Sequence, residues 1–511
     1  MTASDALSHS PSALPTRPAA HVRTLDVSAI ASGVVLWAVI VGLLALVQFA
    51  SAAPVGVDGY YHLRLAQVMR QVGFVPDFPW LPLTILSPDA YYDHHFLFHV
   101  LLMPIAGGDP AGLALRGKLA STLIASLAFL GIWFGLRRHV AHAAWWTLGL
   151  FALSQAFLYR MSMPRAQSAS LLLLALALFL LIERREAWLL PLGFVYVWLY
   201  DAFPLLLGVA GAGMLADLLL ERRLNLRPVF YAAGGIALGL VLNPYFPRDL
   251  EFVVQHLLPK LAHPEIAVGN EWYPYDAWTL VTNSGMAYAA FAAGLYFLGA
   301  RGRRVERGAL MALLLAAAFG ILFLRSRRFA EYFPPFSLIF LALTASPWLA
   351  GLAAARPKLA RALPALLAIP MAFTVFQARQ TVAESPPLDR YAAAATWLAQ
   401  HSRAGDLVFQ TDWDDFPRLF FYNTTNSYTI GLDPTYLQLA DEALYDDWVS
   451  ITRGEVDAPG NVIAARFGAR FVFSDLQHEA FLSQAEADPR LEPIYRDRTA
   501  IIYRVLPGGD R

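Results

Sequence analysis

The sequence contains no cysteine and has few charged residues. The absence of cysteine from all 511 residues excludes disulfides, thiolate nucleophiles and zinc–thiolate clusters. Charged residues make up only 15%, and the 39 basic residues are balanced by 39 acidic ones. A chain without net charge has no overall field that attracts nucleic acid, so we expect no nucleic-acid partner.

The chain is instead rich in apolar residues, which account for 57% of it. This content predicts an α-helical polytopic membrane protein with about eleven transmembrane helices. Their predicted centres lie near residues 39, 125, 152, 175, 194, 212, 236, 290, 316, 342 and 369. We expect the first span to remain uncleaved, because its apolar run is longer than the 7 to 15 or so residues of a signal peptide. The pieces Phe96 to Ala106 and Phe252 to Leu261 are too short to cross and predict re-entrant or interfacial helices.

Arginine and lysine collect in alternate loops, which indicates the cytoplasmic side. These loops lie near residues 137, 184, 222, 301 and 356. The pattern predicts a cell inner (plasma) membrane protein with a disordered cytoplasmic tail over 1–26 and a transmembrane domain over 27–380. The long loops 51–112 and 244–279 are then external, which means periplasmic if the protein is bacterial.

The composition changes after residue 385 to that of a soluble domain. A helical stretch over 391–401 is followed by the strand-like segments "DLVFQT", "ARFVFS" and "AIIYRV". We predict a small extracytoplasmic α/β domain over 386–507.

Three acidic motifs lie in the predicted external loops. Asp58 begins "DGYYHLRLA", Asp93 and His95 belong to "YYDHHFLFH", and Glu271 lies in "VGNEWYPYDAW". Taken alone, Asp58 reads as an N-cap and the histidines as a polar loop. If these side chains converge, their oxygen and imidazole ligands suit a divalent cation, Mg²⁺ or Mn²⁺.

Arginines also lie on the predicted external side, against the usual charge bias. Arg325, Arg327 and Arg328 fall in "LFLRSRRFAEYFPPF", which favours an anion site over interfacial snorkelling. Arg160 and Arg165 in "YRMSMPRAQ" fit a donor head group and an interfacial position equally well. Asp201 in "YDAFP" reads as the N-cap of the next span.

All of these polar clusters fall on one side, so one external site is the economical interpretation. Such a site would contain acidic residues that bind a metal and arginines that bind a phosphate, as expected where an anionic leaving group departs.

The same motifs resemble those of C-type glycosyltransferases, most closely the catalytic subunits of oligosaccharyltransferases. "VDGYYHLRLA" after the first span is similar to the first acidic motif of that family, and Asp93-His94-His95 to its Asp-x-Asp motif. "NEWYP" resembles the glutamate motif of the external loop. Arg328 with Pro335 resembles the arginine that contacts the lipid-linked phosphate.

The resemblance implies a C-type glycosyltransferase fold and inverting transfer from a polyprenyl-phosphate or -diphosphate sugar. It also implies a divalent metal held by Asp58, Asp93, His95 and Glu271. In this interpretation Asp58 or Glu271 accepts a proton from the acceptor or orients it. The lipid phosphate is bound by Arg165, Arg325, Arg327 and Arg328, and acceptor or sugar contacts come from Tyr60, Tyr61, His62, Trp272, Trp413 and Asp414.

Two motifs depart from the oligosaccharyltransferase pattern. The glutamate motif of the external loop lacks its serine. The Trp-Trp-Asp-Tyr-Gly motif that reads the acceptor sequon is represented only by Trp413 and Asp414 in "TDWDDF". The sequence therefore leaves two alternative functions: transfer of an oligosaccharide to protein, or transfer of a single sugar to a glycan or lipid. A transporter is the third alternative, but the centres of the predicted spans are nearly free of the charges that a transport pathway needs.

Overall fold

The computed structural model describes residues 27–257, 269–300 and 305–507. The predicted tail 1–26 lies outside these residues, as does the end of the short apolar piece Phe252 to Leu261. Within the described part, helices form the first three quarters of the chain and a small sheet with flanking helices follows.

The α-helices between residues 27 and 257 are α1 to α11. They are Val27–Gln48, Asp58–Val72, Phe96–Leu102, Pro110–Leu136, Ala143–Leu148, Gln155–Met161, Gln167–Ile182, Leu189–Leu199, Leu205–Glu221, Arg227–Val241 and Arg248–Phe252. Helices α12 to α15 complete the helical part and are Ala277–Ala300, Arg307–Arg325, Phe333–Ala355 and Pro357–Ala383.

Four helical segments in the described residues are long and apolar enough to cross a membrane. They are Ala31–Gln48, Pro110–Leu136, Arg307–Arg325 and Phe333–Ala355. Five further apolar segments have only 10 to 17 residues, whereas a perpendicular span needs about 20. The chain is a membrane protein, but the prediction of about eleven spans is not confirmed.

The span predicted near residue 152 is interrupted. Helix α5 continues as the 3-10 turn Gly149–Ala152 and stops, and α6 starts again at Gln155. Between them Ser154 is extended, with φ −160° and ψ 124°, and its Oγ accepts a hydrogen bond from the Phe157 amide. A serine N-cap starts a new helix here, because its side chain replaces a missing backbone partner.

Helices α8 and α10 pack against each other at very short range. Gly235 makes this possible, because a Cβ there would overlap the Leu190 backbone. Small residues that let two backbones approach are the usual means of packing helices in lipid, where the hydrophobic effect cannot drive association.

The C-terminal part is a five-stranded mixed sheet flanked by helices, as predicted. The strands β1 to β5 are Leu407–Gln410, Ser427–Tyr428, Phe471–Asp475, Leu491–Arg496 and Ala500–Val505. Their order is β2-β1-β3-β5-β4; β1 is parallel to β2 and β3, and β5 is antiparallel to β3 and β4. The segments predicted as strands form β1, β3 and β5. The two missed strands are the edges, and β4 contains Pro493, which a central strand would exclude.

The flanking helices of this domain are α16 to α21. They are Ala392–His401, Phe416–Tyr422, Thr435–Ala440, Glu442–Thr452, Pro459–Val462 and Glu479–Ala487.

The loop after α2 attaches the sheet domain to the helical part. The Tyr428 amide donates to the Trp80 carbonyl at 2.8 Å, and the Ile85 amide to the Tyr436 carbonyl at 3.1 Å. Trp80 and Phe420 are buried together with ring centroids 4.8 Å apart. Burying each such aromatic side chain contributes about 1.5–3 kcal/mol, so this contact holds the domain against the helical part.

Candidate active site

A cavity of about 460 Å³ lies between the helical part and the C-terminal domain. We call it the arginine cavity, because Arg160, Arg165, Arg327 and Arg328 line it. Its other polar and aromatic lining residues include Asp58, Tyr61, His62, His94, His95, Tyr159, Asp201, Glu271, Trp272, Tyr275, Trp413, Asp414, Asp433 and Tyr436.

Three arginines meet one carboxylate in this cavity. Glu271 Oε2 lies 3.1 Å from Arg160 Nη1 and 3.2 Å from Arg165 Nη1, and Glu271 Oε1 lies 3.5 Å from Arg328 Nη1. Arg165 Nη1 also lies 3.0 Å from Asp58 Oδ2, so one guanidinium nitrogen bridges two carboxylates. On the far side, Arg160 Nε donates to the buried Glu331 at 2.6 Å.

The two carboxylates that share Arg165 have opposite protonation tendencies. Burial raises the pKa of Asp58; Arg165 opposes this shift and Glu271 adds to it. Burial would also raise the pKa of Glu271, but Arg328, Arg165 and Arg160 hold it well below its usual range. Asp58 is therefore the better proton acceptor and Glu271 the better permanent counter-ion.

The chain positions Asp58 through a close backbone approach. Helix α2 begins at Asp58, and its N-cap residue is Val57, so Asp58 is not the N-cap. A Cβ on Gly59 would overlap the Pro164 ring. Only glycine lets the start of α2 lie against the loop after α6, which places the Asp58 carboxylate beside Arg165.

Two segments far apart in sequence hold Glu271 and Arg328. Ser326 Oγ donates to the Glu271 carbonyl at 2.9 Å, and the Arg327 amide donates to the Tyr273 carbonyl at 3.1 Å. The Arg328 guanidinium lies 4.7 Å from the centroid of the Trp272 ring, within cation–π range. These contacts fix the glutamate segment against the arginine segment.

The four predicted metal ligands do not form a metal site. Asp93 is 2% exposed and does not line the cavity. Its Oδ1 accepts from the His95 amide at 3.0 Å and its Oδ2 lies 2.7 Å from His99 Nδ1. Asp58 and Glu271 face Arg165 instead. Across residues 27–257, 269–300 and 305–507, no three His, Asp or Glu side chains are grouped as a cation would require.

A chain of hydrogen bonds leads from Asp93 through His99 and His62 to the cavity. His99 Nε2 lies 2.7 Å from His62 Nδ1, and His62 lines the cavity. Burial lowers the pKa of His62 and of His95 well below the usual value, so both imidazoles are neutral. His95 also lines the cavity, and in the described chain its buried Nε2 has no hydrogen-bond partner.

Most of the other predicted site residues meet at the arginine cavity. Tyr61, His62, Trp272, Trp413, Asp414 and Arg327 all line it. Tyr60 and Arg325 do not. The Tyr60 ring packs against Arg418, whose guanidinium carbon lies 5.3 Å from the centroid of that ring. Arg325 is exposed at the end of α13.

Several lining or supporting residues were missed. Asp201 lines the cavity and is not an N-cap, because α9 begins at Leu205 after Pro204. Tyr200 accepts a hydrogen bond from Arg328 Nη2 at 3.1 Å. Glu331, fully buried beside Arg160, could have been found, since it is an acidic residue in the same apolar stretch as Arg328.

The C-terminal domain adds one titrating acid to the cavity. Burial, together with the Asp58 and Asp412 carboxylates, raises the pKa of Asp414 to about 7. The indole of Trp413 lies beside it, close to Gly269 of the glutamate segment.

The sequence matches no protein-family model, and no curated protein matches it. Solved structures are similar in fold. The oligosaccharyltransferase of Archaeoglobus fulgidus in its apo form aligns with a TM-score of 0.64 and 13% identity over 89% of this chain and 71% of that one. Other structures of this archaeal protein contain an inhibitory peptide with a dolichol-phosphate, an acceptor peptide with the NVT sequon, or zinc and sulfate.

Two further structures are similar over most of this chain. ArnT from Cupriavidus metallidurans bound to undecaprenyl phosphate has a TM-score of 0.51 and 14% identity, covering 93% of this chain and 97% of that one. The mycobacterial arabinofuranosyltransferase AftD has a TM-score of 0.54 and 15% identity, covering 94% of this chain and 40% of that one. The resemblance found in the sequence motifs is thus confirmed in the architecture: this chain has the fold of the C-type glycosyltransferases.

Proposed function

We propose that the protein is a membrane glycosyltransferase that moves a sugar or oligosaccharide from a polyprenyl-phosphate or -diphosphate carrier to an acceptor at the external face. The observation that carries the proposal is the gathering of Arg160, Arg165 and Arg328 around Glu271, with Asp58 attached through Arg165. The fold supports it, because similar structures include an oligosaccharyltransferase and a protein bound to undecaprenyl phosphate.

Arg328 and Arg327 are the proposed ligands of the lipid phosphate. Both line the arginine cavity beside the external end of α13. A guanidinium offers paired N–H donors that match a phosphate, and such donors stabilise the charge that develops on a departing phosphate. Arg325 is left out of this role because it does not line the cavity.

Asp58 is the proposed general base. It lines the cavity and its pKa is raised, so it can take a proton from the attacking acceptor group. Attack on the face of the sugar opposite the phosphate gives inversion in a single displacement. Glu271 is assigned a different role: it holds Arg160, Arg165 and Arg328 at one place.

The divalent metal implied by the sequence motifs does not fit this arrangement. Asp93 does not line the arginine cavity, and Arg165 Nη1 bridges the other two carboxylates, 3.0 Å from Asp58 Oδ2 and 3.2 Å from Glu271 Oε2. We therefore derive no step through a metal. The guanidinium groups supply the positive charge that the leaving phosphate requires.

The acceptor is a protein in the oligosaccharyltransferase-like alternative and a glycan or lipid in the single-sugar alternative. Trp413 and Asp414 line the cavity in either case. A transporter is the remaining alternative, and the clustering of the buried charges at one cavity favours an enzyme over it.

The experiment compares a gene deletion strain complemented with the wild type or with Asp58→Asn. Mass spectrometry of external proteins, surface glycans and lipids, and of the polyprenyl-phosphate sugars, is the readout. We expect Asp58→Asn to lower product at least about 100-fold, as loss of a general base does, and to let the sugar donor accumulate.

The matched control is Asp447→Asn, which removes only a surface ion pair with Arg466 worth about 0–1 kcal/mol. It should restore full product. Identical products in the deletion strain and the wild type would rule out glycosyl transfer, and full product with Asp58→Asn would rule out the proposed base.

A further inference from the structure

A second cavity, of about 550 Å³, adjoins the arginine cavity. Both cavities are lined by Tyr159 and Tyr275, so the two spaces adjoin at these rings. Its walls come from α6, from the start of α12 and from the end of α15. We call it the amide groove.

The polar residues of the groove lie on one face of each long helix. On α15 they are Gln377, Gln380 and Thr381, and the C-cap residue Glu384 continues their i, i+3, i+4, i+7 spacing along one helical face. On α12 they are Thr279, Thr282 and Asn283, with the same i, i+3, i+4 spacing.

Large apolar side chains flank the groove on both helices. Val281 is 62% exposed on α12 and Phe376 is 56% exposed on α15, as expected for side chains that meet lipid. The amides and hydroxyls of the groove therefore lie next to apolar surface. A polar face beside lipid is costly unless something polar occupies it.

Some of these groups pair with each other and some do not. Gln155 Nε2 donates to Thr381 Oγ1 at 2.7 Å, which joins α6 to α15. In the described chain, the buried Asn283 Oδ1 has no hydrogen-bond partner. The groove therefore keeps hydrogen-bonding capacity for a ligand.

The chemistry of the groove differs from that of the arginine cavity. Its lining contains amides, hydroxyls and two tyrosines, a single carboxylate, Glu384, and no arginine or lysine. Such a surface suits a neutral ligand rich in hydroxyl groups, since amides both donate and accept hydrogen bonds and an aromatic ring can cover an apolar sugar face. It does not suit a phosphate or an isoprenoid tail.

We infer that the amide groove binds a neutral saccharide of the acceptor, so that the attacking hydroxyl enters the arginine cavity past Tyr159 and Tyr275. This inference rests on the proposed function and makes the acceptor a glycan or glycolipid rather than a peptide.

The test uses the full-length protein in nanodiscs on an array of neutral oligosaccharides, acidic oligosaccharides and sequon-containing peptides. Undecaprenyl phosphate binding is measured on the same samples. We expect neutral oligosaccharides to be retained, and the Gln377→Leu/Gln380→Leu variant to lose at least about tenfold in affinity for them. Its affinity for undecaprenyl phosphate should be unchanged.

Gln477→Leu, at an exposed position of the C-terminal domain, is the matched control and should bind like the wild type. The single variant Gln380→Leu repeats the test with one substitution, at a side chain that lines the groove. The inference would be overturned if the wild type retained only peptides or acidic glycans. It would also be overturned if the groove variants bound saccharides as tightly as the wild type. If undecaprenyl phosphate binding fails as well, the proposed function itself is wrong.

Discussion

At the scale of single residues, the arginine cavity is organised by Glu271. Its carboxylate is shared by Arg160, Arg165 and Arg328, which repel one another and would separate without it. Burying charges of both signs together limits the desolvation cost, which is large for any one of them alone. Under the proposed function, these guanidinium groups line the cavity in which the lipid phosphate binds.

Under the proposed function, we expect Asp414 to make the affinity for an anionic lipid depend on pH. Its pKa of about 7 means that it is neutral below pH 7 and negatively charged above it. The added negative charge repels a bound phosphate, so affinity for undecaprenyl phosphate should fall about fivefold more in the wild type than in Asp414→Asn between pH 6 and 8. Binding titrations at both pH values test this. Parallel pH profiles for the two proteins would contradict it.

We propose that Arg165 takes the place of a divalent cation between Asp58 and Glu271. We expect neither excess EDTA nor millimolar Mn²⁺ to change the affinity for undecaprenyl phosphate or the melting temperature of the wild type, because a ligand stabilises only a protein that binds it. Thermal unfolding in detergent measures the second quantity. A rise in melting temperature with Mn²⁺ that disappears in Asp58→Asn would restore the metal assignment.

At the scale of elements, the site depends on how α2 meets the loop after α6. Gly59 and Pro164 are in contact there, and the Asp58–Arg165 pair lies directly beside them. The start of a helix is a rigid support, so a small displacement at Gly59 moves the carboxylate as a whole.

Gly59→Ala should therefore lower product formation at least about tenfold without unfolding the protein, because displacement by about 1 Å disturbs a catalytic geometry severely. Product is measured in the complemented strain, and folding by size-exclusion chromatography. Gly42→Ala is the control, since no atom lies within 4 Å of its added Cβ. Equal product from the two variants would show that this contact does not position Asp58.

The sequence was sufficient to predict which segments contribute to the site. It was less informative about which side chains bond to each other there. Asp58, Glu271 and Arg328 could be selected because charged residues are rare beside apolar runs. The partners of Asp93 could not, since spacing does not show that its oxygens bond the His95 amide and the His99 ring. Hydropathy likewise located the helices but not their lengths, because it does not register a serine cap such as Ser154.

At the scale of the whole molecule, the C-terminal domain contributes one wall of the arginine cavity. Three of the five strands of the C-terminal domain could be recognised from short strand-like segments in the sequence. Its attachment was not, because the contacts of Trp80 and Ile85 with residues near 428 and 436 join segments more than 340 positions apart. The site is thus a product of tertiary structure, formed by segments between residues 56 and 436.

The most direct test of the account is the binding of undecaprenyl phosphate to the full-length protein in nanodiscs, with the neutral undecaprenol as competitor. We expect the phosphate to bind at least about tenfold more tightly than the alcohol, since charge-assisted hydrogen bonds are worth about 1.5–3 kcal/mol each. Arg328→Met should remove most of that difference. Equal binding of the alcohol and the phosphate, or an unchanged affinity in Arg328→Met, would contradict the claim that the buried arginines hold a lipid-linked phosphate.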